Sequence, residues 1–215
     1  MEVLAYIAAH RREVLALTEQ HIWLSFLAVA VSTVIGVTVG IALSRIRVLA
    51  APVIGLAGIL YTIPSLALFG LLIPLMGIGT RPAVLALVLY AQLVLIRNTL
   101  VGIRSVDPAA LEAARGMGMR GRQLLLLVEL PLALPVVMAG IRTTAVMNIG
   151  IAAIAAYIGA GGLGTLIFQG ISRADSVLIL AGALPVSALA LATDGILAAV
   201  ERALSARRIP PGHPD

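Results

Sequence analysis

The chain has 215 residues, of which 60% are hydrophobic and only 12% are charged, and its formal net charge is +5. Soluble domains are roughly half apolar and about a quarter charged, so this composition excludes an ordinary water-soluble domain and favours a membrane protein surrounded by lipid. The absence of cysteine excludes disulfides and thiolate metal sites, and arginines scattered between apolar runs argue against a nucleic-acid partner.

The sequence divides into an N-terminal interfacial segment over residues 1–21, a transmembrane domain over residues 22–200 and a cytoplasmic tail over residues 201–215. The first segment mixes charged and apolar residues, and it lacks the basic, apolar and small-residue order of a cleavable signal. Residues 207–215 contain three prolines and a glycine, so this part of the tail is expected to be disordered.

Five stretches are long enough to cross the hydrocarbon core of a bilayer, for which a helix needs about 20 apolar residues. These stretches are residues 22–43, 48–76, 83–103, 134–158 and 177–200. The predicted fold class is therefore all-α, a polytopic membrane protein with about five transmembrane helices.

Prolines modify two of these spans. Pro52, Pro64 and Pro74 interrupt the second span, which is predicted to be one kinked or tilted helix whose freed carbonyls are satisfied by neighbouring helices. The apolar run 123–158 is too long for one span. Leu130-Pro131 is predicted to divide it into a short entering helix and the fourth span.

The arginine distribution selects the orientation, because five spans place the two termini on opposite sides and arginine is enriched on the cytoplasmic side. An external N-terminus leaves four arginines outside, namely Arg11, Arg12, Arg81 and Arg173. It leaves nine inside, namely Arg45, Arg47, Arg104, Arg115, Arg120, Arg122, Arg202, Arg207 and Arg208. The N-terminus is therefore predicted to lie outside and the C-terminus in the cytoplasm.

The loop after the third span, residues 104–122, contains a predicted short helix on the cytoplasmic side. Asp107 is a good N-cap and Pro108 suits the first helical position. The run 109–114 is rich in strong helix formers, and Gly116 and Gly118 are expected to end the helix.

This loop carries a recognisable pattern: Glu112-Ala113-Ala114, three residues, Gly118, nine residues, then Val128-Glu129-Leu130-Pro131. The pattern closely resembles the EAA signature of importer-type ABC permeases, with Val128 where isoleucine is usual. Glu-Ala-Ala alone occurs by chance in many proteins, but the spacing and the position after a third span make the pattern specific for this class of transporter.

The resemblance implies the type I ABC importer permease fold, in which this segment is the coupling helix that seats in a groove on the ATPase. A short helix fixed between two spans can act as a lever. The coupling residues implied by the resemblance are Asp107, Glu112, Ala113, Ala114, Gly118, Leu130 and Pro131.

A second resemblance covers residues 63–194. Its matching stretches are Ile63 to Phe69, Gly77-Ile78-Gly79, Leu89-Tyr90, Ile96 to Thr99, Glu129-Leu130-Pro131, Gly140-Ile141-Arg142 and Gly159 to Gly164. They are similar to the permeases that import glycine betaine, choline, carnitine and related osmoprotectants. This resemblance implies a bacterial inner-membrane location, a homo- or heterodimer of permeases, cytoplasmic ATPase subunits that bind ATP and magnesium, and an extracytoplasmic solute-binding protein.

In such a system the chain itself is a transport subunit, not an enzyme, and needs no cofactor of its own. A cage for a quaternary ammonium group requires several aromatic faces around the cation. The chain has one Trp, four Tyr and three Phe, dispersed along its length. Selectivity is therefore predicted to reside in the binding protein, which is expected to be a separate chain.

Polar residues inside the predicted spans are candidates for a pathway or gate. They are Arg97, Asn98, Arg142 and Asn148, with Glu129 as a plausible partner for the arginines. A central arginine costs about 2.5–3.5 kcal/mol on insertion scales, so it should face protein, water or an acid. Two interpretations stay open: these residues line the pathway or brace the cytoplasmic gate, or the arginines extend to the inner headgroups.

The run Gly159-Ala160-Gly161-Gly162-Leu163-Gly164 formally matches a dinucleotide-binding fingerprint, but it follows a membrane span where the fingerprint requires a strand. The chain also lacks a phosphate-binding Gly-Lys-Ser/Thr sequence. The run is predicted to break the chain at the external end of the fourth span, before a short helix over 163–171. Gly159, Gly161, Gly162 and Gly164 are then candidates for part of an outer gate.

Three alternatives are open at this point. One is an ABC importer for another small solute, such as an amino acid or a phosphonate. Another is an ion-coupled secondary transporter that uses Asp194 and Arg142. The third is a membrane-embedded enzyme, for which the sequence offers no paired catalytic acids; His10, His21 and His213 are too far apart for any familiar zinc spacing.

Overall fold

In the computed structural model, which describes residues 1–206, all regular secondary structure of the described residues is helical. The first half contains α1 (Glu2–Ala9), α2 (Arg11–Arg45), α3 (Arg47–Thr62), α4 (Ser65–Met76) and α5 (Thr80–Arg104). The second half contains α6 (Pro108–Gly116), α7 (Gly121–Leu124), a π-helical turn (Leu125–Glu129), α8 (Leu130–Ala155), a 3₁₀ turn (Ala156–Ile158), α9 (Gly164–Arg173) and α10 (Ser176–Ala206). The all-α prediction is confirmed; the predicted disorder at 207–215 lies outside the described residues.

Four helical segments are long and apolar enough to cross a membrane: α2, α5, the run Gly121–Ile158 and α10. The bent pair α3 and α4 makes a fifth if it is counted as one span. At 1.5 Å per residue α2 is about 52 Å long, well beyond a hydrocarbon core of about 30 Å. Because α2 begins at Arg11, the predicted segment boundary at residue 21 falls inside a continuous helix.

The N-terminal residues pack against the rest of the bundle. Val14, near the start of α2, is buried with Leu163, Leu166 and Leu178 of the α9 and α10 region. Tyr6 of α1 packs against the same cluster. Helices α1 and α2 therefore bury apolar side chains against α9, α10 and the turn before α9.

The second predicted span is broken, where one kinked helix was predicted. Helices α3 and α4 meet at an angle of 98°, and Ile63 between them is extended because the residue before a proline is disfavoured in the helical region. Pro52 and Pro74 lie inside helices without interrupting them. The hydroxyl of Tyr90 on α5 donates to the carbonyl of Ile63, which is the predicted rescue of a freed carbonyl by a neighbouring helix.

The prediction that Leu130-Pro131 divides the fourth apolar run is wrong, because the helix continues from Gly121 to Ile158. The N–H of Leu130 donates to the carbonyl of Leu125, five residues earlier, and so forms a π-helical turn immediately before Pro131. Proline normally clashes with the carbonyl four residues earlier and lacks an N–H. The wider turn provides room for the ring, so the helix continues through it.

Helices α2, α5 and α8 pack closely through small residues. A Cβ added to Gly36 would lie 2.5 Å from Cβ of Leu95, and one added to Gly40 would lie 2.6 Å from Cβ of Thr99. Close approach through glycines is the usual way that membrane helices gain packing energy, because lipid provides no hydrophobic driving force between them. These contacts fix α2 against α5 in register.

We therefore expect Gly40→Ala to destabilise the chain in detergent micelles by about 1–3 kcal/mol, because the added methyl group overpacks the α2–α5 contact. The matched control is Gly55→Ala on α3, where an added Cβ meets nothing within 4 Å. That variant is expected to be neutral or more stable by up to about 1 kcal/mol, from helix propensity alone. Unfolding by titration with a denaturing detergent measures both; equal effects would contradict the packing.

Candidate functional site at the α6 end of the bundle

Helix α6 forms as the sequence predicts. Asp107 is its N-cap and accepts a hydrogen bond from the N–H of Ala109 at 2.9 Å, with Pro108 at the first helical position. The helix ends at Gly116, and Gly118 follows with a φ of +84°. The left-handed backbone at Gly118 reverses the chain towards α7, which few residues other than glycine do without strain.

One face of α6 is anchored and the other is open. Ala114 is buried, while Glu112 and Ala113 are exposed. Beyond the helix, Met119 N–H donates to the carbonyl of Ala114 at 3.1 Å and fastens the returning chain. The exposed residues of α6 include Glu112, Ala113 and Arg115, so the open face carries charges of both signs.

Glu129, in the π-helical turn that leads from α7 to α8, is the only buried acid among the described residues. Its carboxylate accepts two hydrogen bonds from the guanidinium of Arg45, one of them 3.0 Å long at Nη1. The prediction that Glu129 pairs with Arg97 or Arg142 is therefore wrong. Arg45 ends α2 at the same level as Glu129, whereas Arg142 lies about 20 Å further along α8.

Arg142 has other partners. It makes a two-pronged ion pair with Asp194 of α10, with Nη2 to Oδ2 at 2.9 Å, and Nη1 lies 3.8 Å from Oε2 of Glu201. These groups line a cavity of about 480 Å³ together with Thr143. Each of the three charged side chains is between a quarter and two-fifths exposed. Arg142 and Asp194 lie inside apolar helices, whereas Glu201 lies near the described end of α10.

The remaining candidates in the spans differ in exposure. Arg97 is exposed, and within residues 1–206 no acid pairs with it. Asn98 is partly buried; it donates to the carbonyl of Val94 at 2.9 Å and packs against Gly140. Asn148 is fully buried. The structure therefore does not bring these three residues together with Glu129.

The glycine run lies at the opposite end of α8 from α6. Gly159, Gly161 and Gly162 all have positive φ angles and form a tight turn before α9, which confirms the predicted chain break. Gly164 begins α9 with its backbone against Ala153, where a Cβ would overlap a carbonyl. The predicted helix over 163–171 runs from Gly164 to Arg173.

Side chains from the start of α2 hold this turn. The Gln20 side-chain oxygen accepts from the N–H of Gly162 at 3.2 Å, and the Nε2–H of His21 donates to the carbonyl of Ile149 at 3.0 Å. A third contact joins the loop before α5, since the N–H of Gly79 donates to the carbonyl of Ile158 at 2.8 Å.

Arg45, Gln20 and His21 carry no signal in the sequence that marks them as site residues. In the sequence Arg45 indicates only orientation, and Gln20 and His21 fall in the predicted interfacial segment, with His21 too far from the other histidines for a zinc site. Polar residues near the ends of an apolar helix are common, so nothing local distinguishes these three. Only the packing of α2 against α8 and against the turns at the two ends of α8 identifies their partners.

The chain is similar in sequence to a family of membrane transport proteins. Residues 32–206 match the family model described as binding-protein-dependent transport system inner membrane component. The chain is 47% identical to the osmoprotectant import permease protein OsmW of Salmonella typhimurium, over 97% of this chain and 100% of the relative. It is 41% identical to the glycine betaine/carnitine/choline transport system permease protein OpuCB of Bacillus subtilis, over 94% of this chain and 93% of the relative.

Solved structures share the fold. An inward-facing MetNI methionine ABC transporter superposes with a TM-score of 0.81 at 22% identity, covering 89% of this chain and 95% of that chain. An amino acid ABC transporter crystallised with histidines gives a TM-score of 0.74 at 20% identity, covering 92% of this chain and 97% of that chain. The architecture is therefore that of type I ABC importer permeases.

The Arg45–Glu129 pair predicts an asymmetry between two substitutions. Arg45→Gln leaves a buried carboxylate, 4% exposed, without its cation and is expected to destabilise the chain by about 3 kcal/mol. Glu129→Gln is expected to destabilise it by less than half as much, because the Arg45 side chain is 46% exposed and is solvated when unpaired. The free energy of unfolding in detergent, measured for both single variants and the double variant, tests this.

In this double-mutant cycle the free energy of unfolding of the double variant Arg45→Gln/Glu129→Gln should resemble that of Glu129→Gln. Arg47→Gln is the control for loss of a neighbouring positive charge, since Arg47 has no acidic partner among the described residues. Equal destabilisation by Arg45→Gln and Arg47→Gln would contradict the ion pair.

Proposed function

Because the chain belongs to the family of binding-protein-dependent transport system inner membrane components, we propose that it is the permease subunit of an ATP-driven importer that carries an osmoprotectant such as glycine betaine, carnitine or choline into the cytoplasm. The observation that carries the substrate class is the identity of 41–47%, over more than nine-tenths of the chain, to permeases named for these solutes. Import of another small solute, such as an amino acid or a phosphonate, is the alternative.

In this proposal α6 is the coupling helix. Its exposed face, with Glu112 and Ala113, docks on the ATPase, while Asp107 caps the helix and Ala114 seats it. The docking residues themselves come from the resemblance of this loop to the EAA signature. The exposure of Glu112 and Ala113 and the burial of Ala114 support the assignment.

Movement of α6 is transmitted to two membrane helices. On one side it follows directly from α5, and on the other it leads through α7 and the π-helical turn, past Leu130 and Pro131, into α8. The Arg45–Glu129 pair links that turn to α2. A displacement of α6 by nucleotide-driven closure of the ATPase would therefore move α5, α8 and α2 together.

We place the solute pathway along the face that carries Arg142, Asp194 and Glu201. Charged groups at this depth are unfavourable towards lipid, so this face should meet water or a second permease copy. Asp194 is already paired with Arg142; this favours a structural or pathway role over the free carboxylate that an ion-coupled secondary transporter needs. Arg97, Asn98 and Asn148 remain candidates for the pathway or its inner gate.

The complete importer would contain two permease copies, identical or different, with cytoplasmic ATPase subunits and an extracytoplasmic binding protein. The α6 end would face the cytoplasm of a bacterial cell, with the C-terminus on that side and the N-terminus outside. The glycine turn would then lie externally, where Gly159, Gly161, Gly162 and Gly164 contribute to an outer gate held by Gln20.

We expect Gly118→Val to abolish solute uptake and to uncouple ATP hydrolysis from transport while membrane insertion is retained. A β-branched side chain at a φ of +84° is strained and would reorient the chain after α6. Gly116→Ala is the control, because Gly116 lies in the same loop without a positive φ and an added Cβ meets nothing within 4 Å. Normal coupled uptake by Gly118→Val would count against the coupling role.

The proposed substrate and energy source are tested together by uptake of radiolabelled glycine betaine, carnitine and choline into cells that produce the permease, its ATPase and its binding protein. We expect saturable uptake that disappears when the ATPase is inactivated and persists when ion gradients are collapsed at constant ATP. Uptake that follows an ion gradient without the ATPase would refute the importer. ATPase-dependent uptake of an amino acid, with none of a quaternary ammonium compound, would refute the substrate class.

A further inference from the structure

A cavity of about 510 Å³ lies at the α6 end of the bundle, behind the coupling helix. Its lining includes four arginines and one acid, namely Arg45, Arg47, Arg104, Arg115 and Glu129. Four guanidinium groups and one carboxylate give the lining a formal charge of +3. Of the charged residues in this lining, the proposed transport cycle uses only Arg45 and Glu129.

Only one of the four guanidinium groups is neutralised by the protein. Arg45 pairs with Glu129, whereas within residues 1–206 no acid lies within 4.0 Å of Arg47, Arg104 or Arg115 in an ion pair. Arginines around one cavity repel one another unless an anion lies between them. A planar guanidinium offers paired donors that match the oxygens of a phosphate.

The position of the cavity in the bundle identifies the source of that phosphate. Arg45 ends α2, Arg47 begins α3 and Arg104 ends α5, so three arginines lie where membrane helices end. This is the level of the lipid headgroups. Two apolar residues close to these arginines in the sequence are exposed: Val48, which follows Arg47, is 79% exposed, and Val101, one helical turn before Arg104, is 57% exposed. They provide an apolar surface for acyl chains on the same helices.

We propose that this cavity binds the headgroup phosphate of an anionic phospholipid, with Arg47, Arg104 and Arg115 as the donors and the acyl chains against the adjacent exposed valines. An acidic segment of the partner ATPase fits less well, because the cavity is lined by Pro108 and Leu111 on the inner side of α6. The outward-facing side carries Glu112 and Ala113 instead. The lipid site does not depend on which solute is carried.

The test uses the purified full-length chain in a neutral detergent and measures retention of phosphatidylglycerol, titrated against phosphatidylcholine of the same acyl chains, by native mass spectrometry. We expect clear preference for phosphatidylglycerol. The double variant Arg47→Gln/Arg104→Gln should bind phosphatidylglycerol roughly thirtyfold more weakly. The factor follows from the usual contribution of each arginine near a lipid surface, converted at about one order of magnitude per 1.4 kcal/mol. This variant leaves the Arg45–Glu129 pair intact.

Two matched variants separate a site from general charge and from misfolding. Arg81→Gln/Arg173→Gln removes the same charge at the opposite end of the bundle, where both arginines are exposed, and should leave binding unchanged. Arg47→Lys/Arg104→Lys keeps the charge without the paired donors, so it should recover most of the binding that Arg47→Gln/Arg104→Gln loses while remaining weaker than the unmodified chain. Such recovery also shows that the region folds. Equal loss of phosphatidylglycerol binding in Arg81→Gln/Arg173→Gln and in Arg47→Gln/Arg104→Gln would overturn the site.

Two further measurements distinguish a phospholipid from a soluble anion and from the partner ATPase as the ligand of this cavity. Inorganic phosphate alone is expected to displace phosphatidylglycerol only weakly, because it lacks the acyl chains. Displacement by phosphate at concentrations comparable to those of the lipid would reassign the cavity to a soluble anion. Complete loss of phosphatidylglycerol on addition of the purified ATPase would reassign it to the protein interface, and equal retention of phosphatidylglycerol and phosphatidylcholine would refute the proposal.

Discussion

Where α2 ends, the buried carboxylate of Glu129 requires a cation, and Arg45 provides it from another helix. A charge this deeply buried is tolerated only with a hydrogen-bonded partner, so the pair constrains the positions of α2 and of the turn that enters α8. Helix α6 follows α5 in the chain and contacts that turn. The coupling role proposed for α6 requires such a connection, because a lever transmits displacement only when it is fixed to the elements that it moves.

The bilayer imposes a second constraint, since backbone groups within it must find partners inside the protein. The chain meets this demand at each irregularity in its helices. Tyr90 donates to the carbonyl exposed at the break after α3, and the π-helical turn rearranges its own hydrogen bonds ahead of Pro131. At the far end, Gln20 accepts from the backbone of Gly162. The broken α3–α4 pair and the glycine turn are therefore specific structures with their own hydrogen-bond partners.

Features governed by local chemistry could be predicted from the sequence. The apolar runs predicted the membrane helices, and the side chain of Asp107 with Pro108 predicted the start of α6. Features that depend on distant partners could not. Pro64 and Pro131 look alike in sequence, yet one separates two helices at 98° and the other follows a π-helical turn inside a continuous helix. The partners of Glu129 and Arg142 are 84 and 52 residues away, and only the packing of α2, α8 and α10 selects them from the other charged residues of the chain.

The central claim, that α6 meets an ATPase, is tested most directly by site-specific photocrosslinking in the assembled complex. The chain contains no cysteine, so a benzophenone attached to Glu112→Cys labels one position on the exposed face of α6. We expect crosslinks from this position to the ATPase and none from Arg173→Cys at the opposite end of the bundle. Crosslinks to the ATPase from Arg173→Cys alone would contradict both the orientation of the chain and the role of α6.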